Sequence, residues 1–419
     1  MTENTAESQE TSATRFNPFE NPQFLQLMVY RIFTMLSYQM VAVAVGWQIY
    51  SITRNPTALG TIGLAEVIPY FLVAPFAGYL VDHLKRRVLG MFSCLVLALT
   101  PLLLLLVTTD TIHVEGTWFI YLAIALSGCV RSFLGPIYNA LFAQVLKRSD
   151  FVRGAGFGAV IFQMGLVLGP AFAGLAIAKW GLSTTYSLAA VFGLIAAVAV
   201  RTIKVGERPK PESRPPIFAS IAEGGRFVLG NQILLAAMAL DMFAVLFGGA
   251  ISMLPAFIKD VLNEGPEALG ILRAAPALGS VVMALWLARN PLERNAGRIL
   301  LWAVALFGLC WSAFAMSQWL WLSAAILVVS GLLDGISVVL RSTIMQLTTP
   351  DDMRGRVSSI NGIFIGSSNE LGAFYTGSMA GLMGLIPAVF VGGLLTVAVV
   401  ILTAWRAPKL RTLDLRSLE

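Results

Sequence analysis

From residue 24 onward the sequence is a succession of apolar runs of about 20 residues, separated by short polar turns. At a helical rise of about 1.5 Å per residue, one such run covers the hydrocarbon core of a bilayer. Twelve runs can be drawn, roughly 24–51, 57–81, 87–108, 117–145, 153–179, 183–202, 231–255, 267–288, 298–317, 319–346, 357–382 and 385–405. Backbone in lipid must satisfy its own hydrogen bonds, so only helices and closed barrels cross a membrane. Barrel strands alternate polar and apolar residues over about ten positions, a pattern these runs lack. The competing reading, a large soluble α protein with a rich core, needs surface charge that is missing. Charged residues make up 12% of the chain, about half the usual share. The expected fold class is an all-α integral membrane protein with twelve transmembrane helices.

The stretch VGERPKPESRPPIFASIAEGGRFVLGNQ divides the runs into two sets of six. Its first half is rich in proline and charge and reads as a linker. Its second half, IFASIAEGGRFVLGN, suits a short helix at the membrane surface. The expected organisation is an N-terminal tail over 1–23, a six-helix bundle over 24–202, a linker over 203–230, a second six-helix bundle over 231–405 and a C-terminal tail over 406–419. The first tail is polar and lacks the apolar core of a secretory signal. Most of the 29 Lys and Arg fall in the tails and in loops that follow even-numbered runs; Arg54, Lys179 and Lys259 fall on the opposite side. The positive-inside rule therefore places both termini in the cytoplasm.

The net charge of +6 does not point to nucleic acid, because the basic residues are dispersed among short loops. No phosphate-cradling G-x-x-x-x-G-K-[ST] loop is present, so ATP is not the expected energy source. Cys94, Cys129 and Cys310 lie inside apolar runs without paired spacing, and the only histidines are His83 and His113. Neither a metal site nor a cofactor is expected, and nothing in the pattern supports an enzyme.

A charge at the centre of a transmembrane helix costs at least about 2.5–3.5 kcal/mol, so each one needs a reason. The candidates are Arg31 in the first run, Glu66 in the second, Arg131 in the fourth, Asp241 in the seventh, Arg273 in the eighth, Asp334 and Arg341 in the tenth and Glu370 in the eleventh. Arg131, Asp334 and Glu370 lie about 13 to 15 residues into their runs, near the midplane, while Arg31 lies about 7 residues from the inner end. Burial favours the neutral form of a carboxylic acid and a nearby cation favours the charged form. A midplane acid whose surroundings change can therefore take up and release a proton. Asp334 is the first candidate, then Glu370, then Asp241, with Arg131 as the cation that drives the proton off. Glu66 stands further out, facing either a cavity or the eleventh run. The competing reading of each acid is a permanent structural ion pair. Arg31, Gln39, Gln48, Asn139, Gln163 and Arg341, with the aromatics Tyr38, Trp47, Phe243 and Phe247, are candidates for a substrate cavity. Packing between helices is the commoner fate of such polar and aromatic residues.

Three motifs carry a family resemblance. GYLVDHLKRR, after the second run, resembles the G-x-L-x-D-R-x-G-R-R turn of the major facilitator superfamily through Gly78, Leu80, Asp82, Arg86 and Arg87; it departs at His83 and Lys85. RSFLG in the fourth run resembles that superfamily's R-x-x-x-G motif. GLVLGPAFAG in the fifth resembles its antiporter signature through Gly165, Gly169, Pro170 and Gly174, although close helix packing alone accounts for small residues at this spacing. TPDDMRGRVSSINGIF and AVGWQIYSITRNPTALG resemble the branch that contains enterobactin exporters and macrolide efflux proteins.

The resemblance covers the chain after about residue 20. It implies two six-helix halves rocking around a cavity lined by runs 1, 4, 7 and 10, which carry Arg31, Arg131, Asp241 and Asp334. It also implies a bacterial inner membrane and the export of an amphipathic siderophore-like or drug-like compound in exchange for protons. Uptake or facilitated diffusion of a nutrient, and a non-transporting sensor on the same scaffold, are the alternatives. A monomer is expected. Within GYLVDHLKRR, Lys85, Arg86 and Arg87 supply inside positive charge. Asp82 is expected to face the positive N-terminal end of the eleventh helix near Ser358 and Ser359 and to latch the halves together, with Gly78 allowing close packing there.

Overall fold

The computed structural model describes residues 20–111, 116–147, 150–204, 217–290, 292, 294–350 and 353–417. Residues 1–19 of the N-terminal tail and the proline-rich half of the linker lie outside them. The first four helices are α1 (Pro22–Thr53), α2 (Pro56–His83), α3 (Arg86–Thr108) and α4 (Trp118–Val145). The helical stretch Phe151–Thr202 breaks at Gly181, whose φ of 82° is a left-handed conformation. Glycine adopts it without a side-chain clash, and the chain turns there between α5 (151–180) and α6 (182–202). After the linker come α7 (Ile217–Gly230), α8 (Gln232–Leu262), α9 (Pro266–Arg289), α10 (Ala296–Met316), α11 (Leu320–Thr348), α12 (Arg354–Met383) and α13 (Leu385–Arg406).

Helices α1–α6 and α8–α13 are the twelve spans, in two halves of six, and the protein is a multi-pass membrane protein. The helix starts follow from local sequence. Asn21, Asn55 and Asn231 cap α1, α2 and α8 with their side-chain oxygens, and Pro22, Pro56 and Pro266 occupy first turns. Asparagine satisfies orphan backbone donors there, and proline lacks the donor that would go unmet. The span α8 is regular only to Gly248; it continues through a 3-10 turn, a short helix started by Pro255 and a π turn to Leu262.

The apolar core tells which end of the molecule is closed. At the end away from the termini, one continuous cluster joins both halves, from Met40, Trp47 and Tyr50 of α1 to Met253, Phe257, Leu269 and Trp311. Toward the termini the core divides. One cluster around Phe24, Leu27, Ile137 and Val200 belongs to the first half, and another around Leu240, Leu300, Leu340 and Leu410 belongs to the second. The halves thus meet at the far end and part at the terminal end.

Two helix pairs close the far end, α2 with α12 and α5 with α9. Both rely on missing side chains. A Cβ on Gly60 would fall 2.9 Å from the Ala373 carbonyl oxygen and one on Gly63 2.6 Å from that of Glu370. On the other seam, a Cβ on Gly174 would fall 2.7 Å from the Gly270 Cα. Small residues at such crossings let backbones approach closely. At the terminal end, α7 lies against α12, with Val228 buried beside Met353 and Val357 and Glu223 paired with Arg356 at 2.9 Å. The segment after α13 is folded, not extended: Leu410, Leu413 and Leu415 join the core of the second half.

Candidate functional site

The close approach of α2, α4 and α12 creates a charge cluster between the halves. On α2, Gly60, Gly63 and Glu66 recur every three residues, so the face that allows contact with α12 also carries the acid. Gly128 of α4 lets that helix reach the backbone of Glu66, because a Cβ there would lie 3.2 Å from the Glu66 Cα. One turn on, Arg131 donates from a single nitrogen, Nη1, to Oε1 of Glu66 and to Oε1 of Glu370, each at 2.8 Å. Tyr38 of α1 donates its hydroxyl to the same Glu66 oxygen at 2.6 Å. The Arg131 guanidinium also lies 5.5 Å from the Tyr38 ring centre and 5.4 Å from that of Tyr70.

Arg273 of α9 completes the group. It shares a cavity of about 100 Å³ with Glu66, Glu370, Tyr38 and Ser252, room for several waters. Of the two carboxylates that hold Arg131, Glu66 belongs to the same half and Glu370 to the other. Relative motion of the halves therefore strains the Arg131–Glu370 bond and leaves Arg131–Glu66 intact.

A second cluster lies wholly within the C-terminal half. Arg341 of α11 pairs with the buried Asp241 of α8, and its Nε donates to the Ser337 carbonyl at 3.3 Å. Asp334 stands in the electrostatic neighbourhood of these two, whereas the carboxylates touching Arg131 are Glu66 and Glu370.

The remaining candidates divide between packing and open space. Gln39 packs under Gly169, and Met35 under Gly165, so two glycines of GLVLGPAFAG seat α5 on α1. Gly174 and the Pro170 carbonyl face Gly270 of α9 across the halves. The motif thus serves both a seam within a half and a seam between halves. Trp47 is buried with Lys259 4.2 Å from its ring. Gln48 bridges Thr108 and Tyr186 at 2.9 and 2.5 Å. Phe243 stacks on Phe247, which meets Tyr375 edge-on. Asn139 is exposed, on the α4 face that carries Arg131 and Gly135.

A third set of polar contacts escaped the sequence reading. Asp260, in the π turn of α8, accepts from Tyr50 and pairs with Arg54 at 3.2 Å; its neighbour Lys259 reaches Ser51. These bonds tie the ends of α1 and α8 across the closed end. The signal was present in Arg54 and Lys259, two of the few basic residues on the side opposite the others. Removing this tie by Asp260→Ala is expected to favour opening of the far end. Labelling of a cysteine placed at buried Ala256 or Ala268 of the closed-end core by a membrane-impermeant maleimide should rise several-fold; unchanged labelling would show that the tie does not hold the closure.

The sequence model of the Major Facilitator Superfamily matches residues 27–373. The chain belongs to that superfamily. It is a transporter, not an enzyme, and its setting and cargo are a lipid bilayer and a small-molecule substrate. Its similarity to the multidrug efflux pump Tap of Mycolicibacterium fortuitum is 26% identity over 392 residues, 90% of this chain and 93% of that one. The enterobactin exporter EntS of Salmonella typhi is 24% identical over 385 residues, 89% of each chain. Among solved structures, a bacterial homologue of the human lysosomal transporter Spinster, in an inward-facing and unoccupied conformation, superposes with a TM-score of 0.71 at 14% identity, covering 96% of this chain and 98% of that one. The nucleoside transporter NupG superposes with a TM-score of 0.70 at 13% identity, covering 93% and 99%.

The superfamily turn GYLVDHLKRR is also accounted for in part. Arg86 donates to the Ala140 carbonyl of α4 at 3.1 Å, and Arg87 to the Ile203 carbonyl beyond α6 at 3.4 Å. Cations suit these helix ends, where the backbone dipole leaves negative charge. His83 stacks on Tyr79 of the preceding turn. A Cβ on Gly78 would meet nothing within 4 Å among the described residues, so the close packing expected there is not seen among them. The side chains of Asp82 and Ser359 lie outside the described residues, and the latch assigned to Asp82 stays a proposal.

Proposed function

We propose that this transporter is a proton-coupled exporter of an amphipathic organic compound, siderophore-like or drug-like, across the bacterial inner membrane. It works as a monomer with both termini in the cytoplasm. The observation that carries the proposal is the Arg131–Glu370 bond across the halves. With the far end closed, Arg131 neutralises Glu370 and keeps it ionised. Rocking to open the far end withdraws Arg131 together with Glu66 and Tyr38 of its own half, leaving Glu370 without a bonded cation and with Arg273 of α9 nearby. A buried carboxylate that loses its cation favours the protonated form, and the proton available is the one outside. On return Arg131 displaces that proton to the inner side. Asp334, Asp241 and Arg341 move together within one half, which makes Glu370 the better coupling residue. The distribution of Lys and Arg supports the orientation, and the names of the relatives support export.

The test is substrate-induced dissipation of a pH gradient in proteoliposomes, screened with aromatic anions, neutral aromatics and aromatic cations. Coupled exchange predicts proton movement that stops when an ionophore collapses the gradient. Flux that persists undiminished without a gradient would overturn antiport in favour of facilitated diffusion.

A further inference from the structure

Arg131 and Arg341 are paired with carboxylates, and Arg273 lines the cavity that holds the two partners of Arg131. Arg31 is different. No carboxylate lies within ion-pair distance of it among the described residues. It lies about nine residues, or roughly 14 Å, into α1, where an unpaired charge is costly. Its guanidinium carbon sits 3.7 Å from the ring centre of Tyr138 on α4 and 5.1 Å from that of Phe162 on α5. Its Nε is buried without a hydrogen-bond partner.

Two aromatic faces thus hold the planar cation and partly desolvate it, yet no acid among the described residues neutralises it. Ring faces attract a cation but accept none of its in-plane N–H bonds. Beside Tyr138, Asn139 and Gly135 are exposed, and a Cβ on Gly135 would meet nothing within 4 Å among the described residues, so this wall of α4 is open among them where the halves part. The Tyr138 hydroxyl fits against Gly158, where a side chain would collide with it. The cage is therefore built by three helices.

We propose that Arg31, Tyr138 and Phe162 form a substrate subsite that takes an anionic group, a carboxylate or phenolate, carried on a planar aromatic body. The anion accepts from the N–H edge of the guanidinium, whose fork matches such oxygens. The aromatic body packs beside the rings that hold the cation. Positive charge without a counter-ion disfavours cationic compounds at the same place. This assignment rests on the export reading and names its substrate class; the proton site around Glu370 is separate.

The test is binding of 2-naphthoate, 2-naphthamide and 2-naphthylmethylammonium to the purified full-length protein in detergent, followed by calorimetry without a proton gradient. The wild type should bind naphthoate most tightly. Arg31→Gln should weaken naphthoate by about 10- to 100-fold, the range for losing a charge-assisted hydrogen bond, and leave naphthamide unchanged. Arg31→Lys, with charge but no planar fork, should fall between. Wild-type binding that does not favour the anion, or unchanged naphthoate affinity in Arg31→Gln, would overturn the proposal. If Arg31→Gln fails to fold, the ligand series on the wild type and on Phe162→Leu still decides it. Binding is read without a gradient and antiport by proton movement in proteoliposomes, so failure of the antiport reading and failure of this subsite give different patterns.

Discussion

Glu370→Gln is expected to keep the transporter folded and to reduce flux driven by a pH gradient by about tenfold or more, within the range of about 5–150-fold for coupling energies between sites. Glutamine is nearly isosteric and its Oε1 still accepts from Arg131 Nη1, so the contact between α4 and α12 survives. What disappears is the exchangeable proton. The measurement is flux in proteoliposomes with and without an imposed gradient. The gradient-driven component should fall to the ungraded level while downhill exchange continues. Asp334→Asn measured alongside should have the smaller effect, because its charged neighbours Asp241 and Arg341 share its half. A Glu370→Gln protein with full gradient-driven flux would remove Glu370 from the coupling step.

The second large effect concerns stability. Arg131 Nη1 serves two carboxylates at once, and Arg131→Met leaves Glu66 and Glu370 without the cation that bonds both, with Arg273 beside the same cavity. Breaking a buried ion pair from one side costs on the order of 3–5 kcal/mol, whereas replacing all the charges together is often nearly neutral. Arg131→Met is therefore expected to unfold at a markedly lower temperature in detergent. Combining it with Glu66→Gln and Glu370→Gln should restore most of that loss without restoring coupled transport. A single Arg131→Met protein with wild-type thermal stability would contradict the shared bond.

Much of this architecture is legible in the sequence because a bilayer leaves few choices. Apolar runs long enough to cross it had to be helices, and the break at Gly181 falls between two runs. The charges within runs were equally visible, since each is costly in lipid. Their pairing was not. Depth along a helix places Arg131, Asp334 and Glu370 at similar levels, but the rotation of each helix decides which of them meet. That rotation is set by Gly60, Gly63 and Gly128, whose missing side chains bring α2 against α12 and α4. The three-residue recurrence Gly60, Gly63, Glu66 was the available signal. The tie at Asp260 was harder to foresee, because it depends on the irregular end of α8 beyond Gly249.

The proposed link runs from the position of the halves, through the Arg131–Glu370 bond, to the protonation of Glu370. Its most direct test is the distance between spin labels at Asn55 and Glu264, on either side of the closed end, measured from mildly alkaline to mildly acidic pH. If a proton on Glu370 replaces Arg131, acid should populate a longer distance in the wild type. In Glu370→Gln the distribution should no longer respond to pH. An equal shift in the wild type and in Glu370→Gln, or none in either, would contradict the account.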